Sequence, residues 1–205
     1  NVAIGHYALQ QNTTGGSNVA VGSFALDANT TNSFNTAVGY NALTTSDGAN
    51  ANSAVGYQAM RLSTTGNNNT SVGYESLYNT TTGSNNVALG VNALYSTANG
   101  NTALGTDALF TSTTGADNTS VGHNSMFANT TGAKNTAVGG YALDANTTGD
   151  NNVAFGYYAL GAATTADKNT ALGYYAGADI TTGVRNTAVG AEALRQKTTS
   201  TDNTA

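Results

Sequence analysis

"NTAVGYNAL" fills residues 35–43, "NSAVGYQAM" fills 52–60 and "NTSVGYESL" fills 69–77. The three phrases start 17 residues apart, and a fixed period decides the architecture before any other feature. Working outward, the phrase begins at Asn1, Asn18, Asn35, Asn52, Asn69, Asn86, Asn101, Asn118, Asn135, Asn152, Asn169, Asn186 and Asn203. Eleven of the twelve intervals are 17 residues; Asn86 to Asn101 is 15, where "YSTANG" replaces a longer Thr/Gly stretch. Numbered from its Asn, each copy has Ala or Ser at position 3, Val, Ile, Leu or Phe at position 4, and Gly at position 5. Position 8 is Ala or Ser, and position 9 is Leu or Met except at Gly177.

Short β-prone runs between Thr/Asn/Gly turns read as strands. A unit this short cannot hold a helical hairpin but fits one coil of a stacked β-structure. The fold predicted is all-β: a parallel β-roll or β-solenoid of twelve 17-residue coils, one shortened to 15. Residues 1–205 form a single repeat array with no separate second domain, read as a segment of a longer fibrous protein. Gly at position 5 marks a bend that needs positive φ or excludes a side chain. Asn at position 1 suits a ladder in which each amide bonds the next coil. Ser71 and Ser120 are the only serines at position 3 of complete copies, and the same two copies carry Ser76 and Ser125 at position 8. Positions 3 and 8 are therefore expected to pack together, on a small-residue face open to another sheet or chain. The large apolar positions 4 and 9, for example Val38 and Leu43, are expected to form the core. Two such residues per coil make a thin core, which points to burial between chains.

Composition narrows the function. Charged residues are 8% of the chain, against roughly 25% in ordinary globular domains, so the chain is ordered by repetition or disordered. Eleven Tyr and five Phe with a net charge of only −5 argue for order. Mild acidity leaves no basic footprint for nucleic acid, and no apolar run is long enough for a membrane span. Cysteine is absent, which excludes a disulfide scaffold and thiolate metal sites.

Catalytic signals are poor. His6 and His123 share position 6 but are seven copies apart, so they cannot share a metal or a triad. Glu75, Asp107 and Glu192 share position 7 on nonadjacent copies and make no acid/base pair. No phosphate-loop or dinucleotide fingerprint occurs; no catalytic residue, metal or cofactor is expected, and the chain reads as a non-enzyme. Aromatics are more informative. Tyr40, Tyr57 and Tyr74 share position 6 on consecutive copies; Tyr78, Tyr95, Phe110 and Phe127 share position 10; Tyr141, Tyr158 and Tyr175 share position 7. Such ladders either stabilise adjacent coils or form platforms that contact glycans or a receptor. The "NTTG" turns create sequons at Asn12, Asn29, Asn79, Asn129 and Asn146, which turn chemistry also explains. At position 17, Asp117 and Lys134 would attract on adjacent coils and Lys168 and Arg185 would repel, which reads as a solvated face.

The phrases "NVAIG" (1–5), "NTAVG" (35–39, 135–139, 186–190) and "NVALG" (86–90) resemble the "SVAIG" motif of YadA-like heads in trimeric autotransporter adhesins. They are similar also to the Asn/Thr/Gly-rich repeats of phage and bacterial tail fibres. The resemblance implies a left-handed parallel β-roll with three chains side by side, and an anchor or chaperone domain elsewhere in the protein. The 17-residue period exceeds the adhesin-head repeat, and position 2 is more often Thr than Val. The first departure favours the tail-fibre kind. The function expected is a structural, adhesive rod segment outside the cell, on a cell surface or a virion, as a homotrimer contacting host-surface glycans or a protein receptor. Two alternatives stand beside it: a monomeric ice- or glycan-binding β-solenoid, against which Val2, Val19, Ser53, Val87 and Val153 interrupt the Thr array, and an open self-assembling filament.

Overall fold

The computed structural model describes residues 1–96 and 99–205, so part of the shortened "YSTANG" turn lies outside the described residues. The chain divides into two compact units, Asn1–Gly100 and Asn101–Ala205. Each is a parallel β-solenoid, and neither contains a helix among the described residues. No described helix is long and apolar enough to cross a membrane.

The first unit carries β1 (Val2–Ile4), β2 (Val19–Val21), β3 (Thr36–Val38), β4 (Ser53–Val55), β5 (Thr70–Val72) and β6 (Val87–Leu89). They pair in chain order with equal positions opposite: Val2 faces Val19, Ala20 faces Ala37, Val55 faces Val72. The second unit repeats the scheme with β7 (Thr102–Leu104), β8 (Thr119–Val121), β9 (Thr136–Val138), β10 (Val153–Phe155), β11 (Thr170–Leu172) and β12 (Thr187–Val189). Strands of three residues suffice because the coil-to-coil bonds continue past them. Asn41 N–H donates to the Ser23 carbonyl at 3.0 Å, and Leu43 N–H to the Ala59 carbonyl at 3.0 Å.

The expected core is corrected at position 4. Side chains alternate across a strand, so positions 2 and 4 of each strand point outward and position 3 points inward. The interior holds Ala or Ser at positions 3 and 8 and Leu or Met at position 9, fully buried in Ala37, Ala42 and Leu43 and in their equivalents between the first and last coils. Position 4 lies on the outer face, with Val55, Leu89, Phe155 and Leu172 exposed. The small-residue face expected to meet another chain is therefore the inside of the coil, where only small side chains leave room for the Leu. The pairing inferred from the serines is present. Ser71 Oγ lies 2.5 Å from Ser76 Oγ, and Ser120 Oγ donates to the Ser125 carbonyl at 2.8 Å.

Gly177, the single break at position 9, has a structural partner. Ile180, at position 12 of the same coil, is fully buried, and a Cβ on Gly177 would lie 3.1 Å from its Cδ1 and 3.0 Å from Leu160 Cδ2. In the other described coils position 12 is a polar residue such as Asn146 or Ser112, or the small Ala163. In this coil the apolar volume enters from position 12 instead of position 9.

Two hydrogen-bond ladders run beside the sheet. At position 1, within each unit, the Asn side chain accepts from the next coil's backbone: Asn52 N–H to Asn35 Oδ1 at 3.0 Å, Asn152 N–H to Asn135 Oδ1 at 2.9 Å. Its Nδ2 closes its own coil, as Asn135 does to the Gly149 carbonyl at 2.7 Å. At position 16 the sense is reversed: Ser33 N–H donates forward to Asn50 Oδ1 at 2.8 Å, and Asp150 N–H to Asp167 Oδ1 at 2.7 Å. The position-5 glycines meet both reasons given for them. Gly56 has φ of +140°, and a Cβ there would lie 2.3 Å from the Gly73 carbonyl oxygen. Positions 7, 9 and 17 also adopt left-handed φ with ordinary side chains, as at Tyr141 (58°), Leu143 (51°) and Asn151 (57°). Such a residue costs about 1–2 kcal/mol, so stacking holds two or three strained residues in each coil.

Candidate functional site

The aromatic columns are built by the register, since residues 17 apart are stacked neighbours. In the first unit Tyr40 and Tyr57 lie 5.5 Å apart with ring planes 16° apart, and Tyr57 and Tyr74 lie 5.2 Å apart at 6°. Phe24 caps the column edge-on to Tyr40. Tyr78 and Tyr95 stack at 5.1 Å, and Arg61 Nη1 donates to the Tyr78 hydroxyl at 2.6 Å. The hydrogen bond that the Tyr74 hydroxyl donates to Glu75, and the negative charge of Glu75, raise that hydroxyl above the ordinary range, and burial raises that of Tyr95.

In the second unit Phe110 and Phe127 stack at 5.4 Å and 3°. The expected Tyr141, Tyr158 and Tyr175 column is part of a larger group. Tyr158 and Tyr175 lie 5.1 Å apart, while Tyr141 meets Tyr157 edge-on at 5.8 Å. Tyr157 and Tyr174, which the sequence reading missed, stack at 5.9 Å, and Tyr174 meets Tyr175 at 4.6 Å and 64°. Tyr157 is 46% exposed and Tyr174 54%. Partial desolvation, then the crowding of neighbouring phenols, raises the Tyr157 hydroxyl. Nearby, burial raises the Asp144 carboxyl, opposed by His123.

Chemically, most of these rings use their faces on each other. A ring stacked on both sides, such as Tyr57, offers a ligand only its edge and hydroxyl. A free face remains where the next coil has a smaller residue at position 6, as Val91 follows Tyr74 and Ala191 follows Tyr174.

No family model matches the chain, and no curated protein or solved structure matches it either.

The other candidates fall away from one another. Among the described residues, no group of three His, Asp or Glu side chains is placed to hold a metal, and no pocket opens. The sequons at Asn29, Asn129 and Asn146 are corrected as modification sites, because these asparagines are fully buried with their amides engaged. Asn146 Nδ2, for instance, donates to Asn129 Oδ1 at 2.7 Å. At position 17, Arg185 makes a two-pronged pair with Asp202 at 2.6 and 2.8 Å, which the sequence reading did not draw.

Proposed function

We propose that this chain is a structural and adhesive segment of an extracellular fibre, of the kind built by trimeric adhesins and viral tail fibres. Three copies pack through the outer faces of their sheets, and tyrosines displayed along the sides contact glycans of a host surface.

One observation carries this reading. A sheet with one face in water has its large apolar side chains inside and polar ones outside. Here the inside takes Ala and Ser, while position 4 on the outside is aliphatic or Phe in every copy. Val55 is 38% exposed, Leu172 47% and Phe155 52%. Within each unit these residues line up from strand to strand, and a continuous apolar strip of this kind marks a contact surface. A second copy of the same chain offers the matching strip at the matching spacing. The resemblance of the "NTAVG" phrases supports the same assignment.

Sedimentation equilibrium tests it. The expected mass is near three times 20.5 kDa. Leu172→Glu, which places a charge on the strip and leaves the interior untouched, should yield monomers with an unchanged β-sheet spectrum. A monomeric unaltered chain would overturn the proposal in favour of a self-sufficient solenoid. Open-ended growth into ever larger species would also overturn it.

A further inference from the structure

We infer that Tyr174, Tyr175, Glu192 and Arg195 form a binding step for a neutral hexopyranoside. The inference rests on the glycan-contacting part of the function proposed above and names the site and the ligand class.

A pyranose presents a patch of axial C–H groups on one face and hydroxyls around its rim. A protein recognises that pattern with an aromatic face for the C–H patch and paired donors and acceptors for the hydroxyls. Tyr174 supplies the face. Tyr157 covers one side of its ring, but the coil below places Ala191 under the other side. The backbone alignment is fixed by the bond from Glu192 N–H to the Tyr174 carbonyl at 2.8 Å. The step is therefore one ring deep, with a methyl group for its floor.

The polar rim comes from the same coil as Ala191. Arg195 Nη1 lies 2.9 Å from Glu192 Oε1, and Arg195 Cζ sits 4.8 Å from the centroid of the Tyr175 ring. Tyr175 in turn stands nearly edge-on to Tyr174. The stacking on Tyr175 and the pairing with Glu192 hold the guanidinium against the ring that adjoins Tyr174. A planar fork of N–H donors beside a carboxylate acceptor matches two neighbouring hydroxyls of a sugar. Neutrality of the ligand follows from charge. Glu192 balances Arg195, and residues 101–205 carry more carboxylates than basic side chains, which disfavours an acidic sugar.

Tyr74 above Val91 has the free face but lacks the rim. Position 10 of the coil that holds Val91 is Tyr95, and no Arg or Lys stands in that coil. A shallow step without a pocket binds weakly, with a Kd on the order of millimolar. A fibre compensates by repetition across its copies.

The test is an NMR titration of the tyrosine ring signals with methyl hexopyranosides, with methyl sialoside and methyl glucuronoside as anionic comparators. Shifts confined to Tyr174 and Tyr175 are expected with the neutral sugars. Tyr174→Ala should weaken binding about five- to tenfold, and Tyr174→Phe should retain it. Ala191→Tyr should abolish it by covering the face, with the fold kept, because position 6 already carries Tyr in five other coils. Binding that survives Ala191→Tyr would overturn this site while leaving glycan contact by the fibre in place. Stronger binding of the anionic sugars would overturn the ligand class. No binding of any sugar by a chain of trimeric mass would overturn the inference and leave the fibre assignment standing.

Discussion

Restoring the repeat pattern in the coil of Gly177 should need two substitutions, and either alone should be costly. Gly177→Leu adds the residue that nine other coils carry at position 9. It must do so against Ile180, whose Cδ1 would lie 3.1 Å from the new Cβ before any further atom is placed. Overpacking of this kind costs about 1–3 kcal/mol, and a side chain at the left-handed φ of 58° adds about 1 kcal/mol. Ile180→Ser removes a fully buried side chain and leaves a cavity, at about 2–4 kcal/mol. Together the changes recreate the arrangement of Leu109 with Ser112, whose Oγ donates to the Gly115 carbonyl at 3.3 Å. The Leu then fills the space vacated by Ile, and only the backbone strain of about 1 kcal/mol is left. The double variant should be more stable than either single one, with a coupling of about 3 kcal/mol or more. Urea unfolding of the four proteins measures this, and hydrogen exchange at the Leu160 amide, bonded to the Ala176 carbonyl, reports the local effect. If the double variant loses the sum of the two single losses, positions 9 and 12 do not share one space and the reasoning fails.

Asn135→Ala should destabilise by about 2–5 kcal/mol, since it orphans the buried Asn152 N–H and takes a donor from the Gly149 carbonyl. A urea midpoint close to that of the parent chain would show that the position-1 ladder is not a main support. Asp202 should titrate below the usual carboxylate range, because the Arg185 hydrogen bond favours its ionised form. With the folded value depressed, the pair's contribution is present above the unfolded value and is lost as pH falls through the folded one. Carbon-detected titration of the Asp202 carboxyl checks this, and Arg185→Ala should return it towards the ordinary value.

The period, the Asn column and the Gly bend were legible because each is a backbone demand that every coil repeats. Ser71 with Ser76 was legible because a buried hydroxyl needs company, and the two substitutions travelled together. What misled was size. Val38 looks more like a core residue than Ala37, yet the strand's alternation turns position 3 inward, and the coil is too narrow there for anything larger. Leu43 reaches the interior through a left-handed backbone that nothing in a Leu announces. Tyr157 and Tyr174 escaped notice because their column is only two rings long, with Gly140 and Ala191 on either side. Their partners, Tyr141, Tyr158 and Tyr175, sit one position along the chain, where only the bend brings the two columns together.

The strict equality of stacked positions within each unit has a consequence for inheritance. Since Asn35 treats Asn52 as Asn118 treats Asn135, a coil does not distinguish one neighbour from another. Misaligned recombination between copies would add or remove whole coils and leave the bonds of the remainder intact. Length would then be free to change in steps of one coil, while any insertion of another size would have to be taken up in the turn after position 9. The molecule's reach can thus be lengthened or shortened in a single genetic event without inventing new residues.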